Sequence, residues 1–125
     1  MKKYLCFLFG FILLVSLSAC NHSPVFSGSR TGNENQFIME YSMFNTSDAQ
    51  SLELEKGDII DAQIVNTAGN ISITIQKDGE KPIYEGENIP TSRFQVEITE
   101  KGTYKIKVTG KKAKGSLSFI KSTHD

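Results

Sequence analysis

The chain has 125 residues, with 14 basic and 14 acidic side chains that give a net charge of zero. A balanced charge produces no global field for a polyanion, which argues against nucleic acid as a partner. The sequence holds no tryptophan, two cysteines and two histidines, so a disulfide-rich scaffold is excluded and histidine chemistry has few residues to draw on.

Residues 1–19 have the pattern of a secretory signal peptide. Lys2 and Lys3 precede an apolar stretch, residues 4–17, and small residues follow it. At about 1.5 Å per residue, that stretch is too short to cross a hydrocarbon core of about 30 Å. We therefore predict a cleaved signal peptide and no permanent membrane span in this segment.

The segment Leu17-Ser18-Ala19-Cys20 resembles the lipobox of bacterial lipoproteins. The resemblance implies that cleavage leaves Cys20 as the mature N-terminus, carrying a thioether-linked diacylglycerol and often a third acyl chain. It implies a lipid bilayer as partner, through acylated Cys20, and a position outside the cytoplasm on a bacterial cell membrane. The alternative is an ordinary secreted protein. With Cys6 removed and Cys20 acylated, the mature chain has no thiol for a disulfide and must rest on one apolar core.

Residues 20–36 are predicted to be the lipidated N-terminus and a flexible tether. Gly, Ser and Asn dominate residues 21–36, and such a composition buries little apolar surface. A flexible chain of this length sets a domain roughly 20 Å from the membrane. The alternative for Val25 and Phe26 is that they pack back onto the domain.

Apolar and polar residues alternate from Phe37 onward, the pattern of half-buried β-strands. Turn sequences such as Asp78-Gly79 separate the strands, and Pro82 places its strand at an edge. Eight short strands are predicted. One is the edge strand at residues 82–85, and the inward positions of the other seven are Phe37, Met39, Tyr41 and Met43; Leu52 and Leu54; Ile60, Ala62 and Ile64; Ile71, Ile73 and Ile75; Phe94, Val96 and Ile98; Tyr104, Ile106 and Val108; Leu117 and Phe119.

This spacing predicts an all-β fold, a single antiparallel β-sandwich of about eight strands over residues 37–121, with a C-terminal tail at 122–125. No segment favours a helix, and the fold needs no cofactor.

Three segments resemble the jelly-roll accessory domains of secreted bacterial enzymes, of the pre-peptidase C-terminal type. They are Leu52-Glu-Leu-Glu-Lys-Gly-Asp58, the isoleucine strand at 71–75, and Phe94-Gln-Val-Glu-Ile98 with Gly102-Thr-Tyr104-Lys-Ile106-Lys-Val108. The resemblance implies a jelly-roll fold. The aspartate-rich middle strand of that family is replaced here by Ile-Ser-Ile-Thr-Ile, so no calcium or ligand site is carried over.

Catalytic and metal-binding candidates are few. His22 lies in the predicted tether and His124 next to the C-terminus, so neither is placed to serve a nucleophile. Glu53 and Glu55 fall on one wet strand face, where carboxylates usually serve solubility. Asp58 and Asp61 are weak candidates for a calcium site, because carboxylate oxygens suit calcium but their spacing matches no compact calcium loop. We predict that the chain is not an enzyme.

Charge is unevenly distributed along the chain. Residues 34–61 contain seven acids and one lysine, and residues 101–121 contain seven lysines and no acid. One interpretation is a patch that contacts an anionic envelope surface. The other, which we favour, is that the acidic and basic strands neutralise each other or that the lysines protect an edge. The candidate contact residues are Lys105, Lys107, Lys111, Lys112 and Lys114.

Aromatic side chains give a weak case for carbohydrate binding, because Tyr84 is the one ring predicted to be exposed in the sandwich. We therefore predict a non-catalytic binding or scaffolding module, monomeric, with an envelope protein or wall polymer as a possible partner. The alternative is a module that binds carbohydrate or an anionic wall polymer, and a hydrolase ranks third.

Overall fold

The computed structural model describes residues 24–123, and these form seven strands without a helix. The predicted signal peptide, Cys20, His22 and His124 lie outside the described residues. The strands are β1 (Val25–Asn33), β2 (Gln36–Asn45), β3 (Ser47–Leu54), β4 (Ile59–Lys77), β5 (Pro82–Gly86), β6 (Ser92–Glu97) and β7 (Gly102–Ser122).

Two long strands, β4 and β7, bend and take part in both layers of an antiparallel sandwich. Layer A contains β1, β2, residues 116–122 of β7, residues 59–65 of β4, and β6. Layer B contains β3, residues 103–110 of β7, residues 71–77 of β4, and β5. Strands that pass from one sheet to the other commonly do so through bulges. Here β4 shifts register on either side of Ala68, and the left-handed Lys112 accompanies the bend of β7.

The core lies between the layers and contains the predicted inward residues. Period-two alternation places every second side chain of each strand on the inner face, where apolar groups leave water. The buried side chains include Phe37 and Phe119 from layer A, with rings stacked at 6.2 Å, and Ile73, Ile75 and Ile106 from layer B. Among the predicted inward residues, Met43 differs, because β2 shifts register between Tyr41 and Phe44 and turns Phe44 inward instead.

The two ends of the sandwich collect different loops. The near end, where β1 begins, holds residues 45–47, 66–70, 87–91 and 110–115, joined by bonds such as Gly110 N to Thr46 O at 2.9 Å. The far end holds residues 34–35, 55–58, 78–81 and 98–101, joined by bonds such as Gly57 N to Ile98 O at 2.8 Å. Each shorter strand runs from one end to the other, whereas β4 and β7 begin and finish at the far end and bend at the near end. Each loop therefore belongs to one end.

The open sides of the sandwich are closed in different ways. On one side Arg30 of β1 reaches across to β3, where its Nε lies 2.7 Å from Asp48 Oδ2 and its guanidinium covers the Phe37 ring. On the other side Tyr84 of β5 stacks on Phe94 of β6, with ring centroids 4.7 Å apart. An ion pair therefore covers the core on the side of β1 and β3, and two stacked rings cover it on the side of β5 and β6.

The N-terminal boundary of the sandwich differs from the expectation. Residues 25–33, assigned from composition to the flexible tether, form β1 and pair with β2 along its length. Every residue of β1 except Gly32 is exposed, so the strand shows no period-two alternation of apolar and polar residues. Backbone pairing with β2 holds this edge strand, and Phe26 adds an apolar contact with Phe44. The predicted start at residue 37 is therefore twelve residues late.

Candidate binding surfaces

Asp58 and Asp61, the weak calcium candidates, both have protein partners. Asp58 is 3% exposed, and its Oδ2 accepts a hydrogen bond of 2.8 Å from the Glu55 N–H. The same oxygen lies 3.9 Å from Lys121 Nζ, while Asp61 Oδ1 accepts from the Gln95 amide at 2.8 Å. Within residues 24–123, no group of three or more His, Cys, Asp or Glu side chains could hold a metal ion. Asp58 therefore serves the turn between β3 and β4.

Glu53 and Glu55 are likewise engaged at the far end. The Thr103 hydroxyl donates its one proton to the Glu53 carboxylate across the β3–β7 pair, with Oγ1 2.6 and 2.9 Å from the two carboxylate oxygens. Glu55 lies 3.8 Å from Lys101 Nζ. Both side chains are exposed, and contacts between exposed charged groups contribute little to the free energy of unfolding.

The five candidate lysines fall into two groups. All five side chains are exposed. Lys105 and Lys107 lie in the middle of the outer face of layer B. The cross-strand neighbours of Lys105 and Lys107 are Ser51 and Ala49 on β3, with Gln76 and Thr74 on β4. No acidic residue stands directly opposite either lysine, and no ion pair forms with either in the part of the chain that the structure describes.

Lys111, Lys112 and Lys114 lie instead at the near end, on the bend of β7. The backbone there is held in place: the Lys112 N–H donates to Asn45 Oδ1 at 3.0 Å, and the Lys114 carbonyl accepts from the Thr67 hydroxyl at 2.9 Å. The lysine side chains remain exposed and form no ion pair with any described residue.

Exposed apolar side chains share the near end with these lysines. Val25, Phe26 and Met43 are 41%, 38% and 38% exposed. Val25 stands opposite Asn45, the residue that holds Lys112, and the Phe26 ring meets the Phe44 ring edge-on at 5.8 Å. The three apolar side chains, called the apolar cluster below, therefore share the near end with the lysines, with Phe26 directed to the inner face and Val25 and Met43 to the outer face of layer A.

A shallow groove runs across layer A close to the near end, with a volume of about 530 Å³. Three serine hydroxyls, a carboxylate and an amine are available to a ligand there. The lining residues are Gly28, Ser29, Glu40, Tyr41, Ser42, Val65, Lys114, Gly115 and Ser116. Tyr41 is the buried residue of this set, and its hydroxyl has no hydrogen-bond partner among the described residues. Burial raises the pKa of Tyr41 to about 12.

Tyr41→Phe is expected to leave the free energy of unfolding at pH 7 unchanged or higher, because the lost hydroxyl was desolvated without a partner. Tyr104→Phe is the matched control. The Tyr104 hydroxyl donates to the Glu100 carbonyl at 2.6 Å, so this variant should lose about 1 kcal/mol. Urea unfolding of both variants measures the difference, and equal losses would show that the Tyr41 hydroxyl is bonded.

The raised pKa of Tyr41 also predicts how the free energy of unfolding changes at alkaline pH. A tyrosine whose pKa is higher folded than unfolded contributes stability that is present below about pH 10 and is lost as pH rises towards 12. The decline in stability over that interval should therefore be smaller in Tyr41→Phe than in the parent.

The predicted exposed ring, Tyr84, is half-buried against Phe94 and packs on the core. One face of the Tyr84 ring is therefore covered by a protein ring.

Within residues 24–123 no helix is long and apolar enough to cross a membrane.

Comparison with known proteins finds chains of similar fold and low sequence identity. No protein-family model and no curated protein matches the chain. A periplasmic inhibitor of g-type lysozyme from Aeromonas hydrophila is similar in structure, with a TM-score of 0.48 at 15% identity over 78% of this chain and 88% of that one. The pre-peptidase C-terminal domain of a Bacillus anthracis collagenase gives 0.48 at 12% identity over 74% and 91%.

A carbohydrate-binding module of lichenase 5A from Cellvibrio mixtus, solved with cellotriose, gives a TM-score of 0.42 at 14% identity over 79% of this chain and 88% of that one. The collagenase domain is of the type that the sequence resembles. Likenesses at this level of identity and TM-score carry no argument about ligands. The strand pairing of this chain itself defines the class: an antiparallel, jelly-roll-like β-sandwich.

Proposed function

We propose that this chain is a lipoprotein anchored through Cys20 outside the cytoplasm, whose β-sandwich binds or scaffolds an envelope partner without catalysis. The observation that supports a role without catalysis is the separation of the buried titratable side chains among the described residues. Tyr41 lies towards the near end, whereas Asp58 and Tyr104 lie towards the far end and bond to the backbone. Catalysis needs such groups to converge at one site.

The anchor is supported by the lipobox resemblance and by the place where the sandwich begins. Val25 opens β1 five residues after Cys20 and lies at the near end. A diacylglycerol supplies two chains, which suffice for stable attachment where one chain is marginal. The sandwich would then be held close to the bilayer by a short connection, in place of the longer tether that composition predicts.

Cys20→Ala is expected to prevent acylation and to leave the protein uncleaved or released from the membrane. Fractionation of cells that express the parent or the variant, with metabolic labelling by a fatty acid, measures both effects. Ser18→Ala, which keeps the cysteine and a small residue, is the control and should still be labelled. Membrane-associated Cys20→Ala of the same processed mass as the parent would contradict the anchor.

Carbohydrate or wall-polymer binding is the second candidate, and the groove on layer A is the observation that favours it. Its hydroxyls, with Glu40 and Lys114, can hydrogen-bond sugar hydroxyl groups. An exposed aromatic platform is missing from the described lining, which weakens this candidate relative to a protein partner.

A further inference from the structure

We propose that the near end of the sandwich is a membrane-facing surface that rests on anionic lipid head groups. Lys111, Lys112 and Lys114 meet the phosphates, and Val25, Phe26 and Met43 enter the interfacial layer. The physiological setting of this surface rests on the proposed anchor at Cys20, whereas its affinity for lipid is a property of the sandwich alone.

The first argument is the position of the chain entry. Five residue steps separate Cys20 from Val25, and at about 3.3–3.6 Å each they cover at most about 18 Å. Because β1 starts at the near end, an acylated Cys20 brings that end, and not the far end, to the bilayer. The lysines on the bend of β7 then lie within reach of the surface field, which falls off over a Debye length of about 8 Å at physiological salt.

The second argument is the charge of the two ends. The near-end loops carry three lysines and one acid, Glu87, whereas the far-end loops carry six acids and three lysines. The six far-end acids are Glu34, Glu55, Asp58, Asp78, Glu80 and Glu100, and the three lysines are Lys56, Lys81 and Lys101. A negative surface therefore attracts the near end and repels the far end, and it orients the domain in the same sense as the anchor does.

The third argument is the unequal pairing of the lysines. Near the far end, Lys77 lies 3.3 Å from Glu80 and 3.5 Å from Glu100, and Lys101 and Lys121 also face acids, whereas Lys56 and Lys81 form no ion pair among the described residues. The near-end lysines have no such partner among residues 24–123. An ammonium without a protein counter-ion is free to pair with a phosphate.

The fourth argument is the apolar cluster beside the lysines. A hydrophilic polymer gains little from Val25, Phe26 and Met43, whereas a bilayer interface accepts apolar side chains below basic ones. Asn45 joins the two groups, because it stands opposite Val25 and holds the backbone of Lys112. This combination favours a lipid surface over a wall polymer.

The test uses a non-acylated chain of residues 21–125, which contains all seven strands and the entire buried core. Its co-sedimentation is measured with phosphatidylglycerol vesicles and with phosphatidylcholine vesicles at 0.01 M and 0.15 M salt. We expect binding to the anionic vesicles that weakens as salt rises, and little binding to the neutral ones.

A pair of triple variants with the same change in net charge locates the surface. K111Q/K112Q/K114Q removes the near-end lysines, and K56Q/K81Q/K101Q removes the three exposed lysines of the far-end loops. The near-end variant should lose affinity by on the order of 100-fold at 0.01 M salt, from about 1 kcal/mol for each lysine near an anionic surface. The far-end variant should bind as the parent does.

A second pair tests the apolar cluster. V25S/M43S removes two exposed near-end side chains, and I83S/I120S removes two side chains of similar exposure elsewhere. Binding at 0.15 M salt should fall in the first variant and persist in the second.

Three results would overturn the proposal: no binding at 0.01 M salt, equal losses in the two lysine variants, or tighter binding to a soluble anionic wall polymer than to vesicles. These results are independent of the anchor, which the Cys20→Ala fractionation tests separately. If the full chain is not acylated in cells while the chain of residues 21–125 still binds vesicles through the near end, the anchor is refuted and the membrane-facing surface stands.

Discussion

Ile73→Asp is expected to unfold the sandwich, whereas Thr74→Asp, one residue further along β4, is expected to leave it folded. Ile73 is 1% exposed and lies in the core of layer B, opposite Val108. A carboxylate there has no cation or donor to pair with and loses its hydration. The cost, about 4 kcal/mol or more, is a large share of the 5–15 kcal/mol that stabilises a typical domain.

Thr74 is the matched control because it occupies the same strand with its side chain on the other face. It stands opposite Lys107 on one side and Glu85 on the other, and it is half-exposed. An aspartate at this position stays hydrated and should cost about 1 kcal/mol or less. Thermal unfolding followed by circular dichroism compares the two variants. Similar melting temperatures would show that the faces of β4 are inverted.

The core was the part of the fold that the sequence could predict. Alternation with a period of two has a direct physical cause, since each strand of the sandwich buries one face and hydrates the other. The spacing of residues such as Ile60, Ile73, Tyr104 and Phe119 therefore predicted that they are buried, and they are. The same signal placed Lys105 and Lys107 outside, and the structure agrees.

The bends of β4 and β7 could not be predicted from that signal. Residues 65–70 and 110–116 contain few large apolar side chains, so they have the composition of loops although their backbones continue the strands. Eight predicted short strands thus became seven, because two pairs fused into long strands while β1 was added. An edge strand such as β1 is held by backbone bonds, which any sequence except proline can supply.

The candidate site was only partly predictable for the same reason. Sequence position grouped five lysines together, but the register assigns Lys105 and Lys107 to a sheet face and the other three to the near end. The apolar neighbours Val25 and Phe26 are far from those lysines in the chain. Their proximity depends on the pairing of β1 with β2 and of β2 with β7, which no local pattern encodes.

Gly69→Ala is expected to destabilise the sandwich more than Gly79→Ala, although both glycines have left-handed backbones with φ of 70° and 78°. At Gly79, in the turn between β4 and β5, an added Cβ meets nothing within 4 Å. The cost there is the left-handed conformation alone, about 1–2 kcal/mol. At Gly69 an added Cβ would also collide with the main-chain oxygens of Lys111 and Lys112.

Those oxygens belong to the bend of β7 and cannot retreat without disturbing the pairing of β4 with β7. Overpacking of this kind typically adds about 1–3 kcal/mol, so Gly69→Ala should lose that much more than its control in urea unfolding. Because the collision lies under the lysines, the amide signals of residues 110–115 should also shift in Gly69→Ala and stay in place in Gly79→Ala. Equal losses with unshifted signals would show that the two bends are not in contact, and the near-end surface would then lose the scaffold that holds its lysines together.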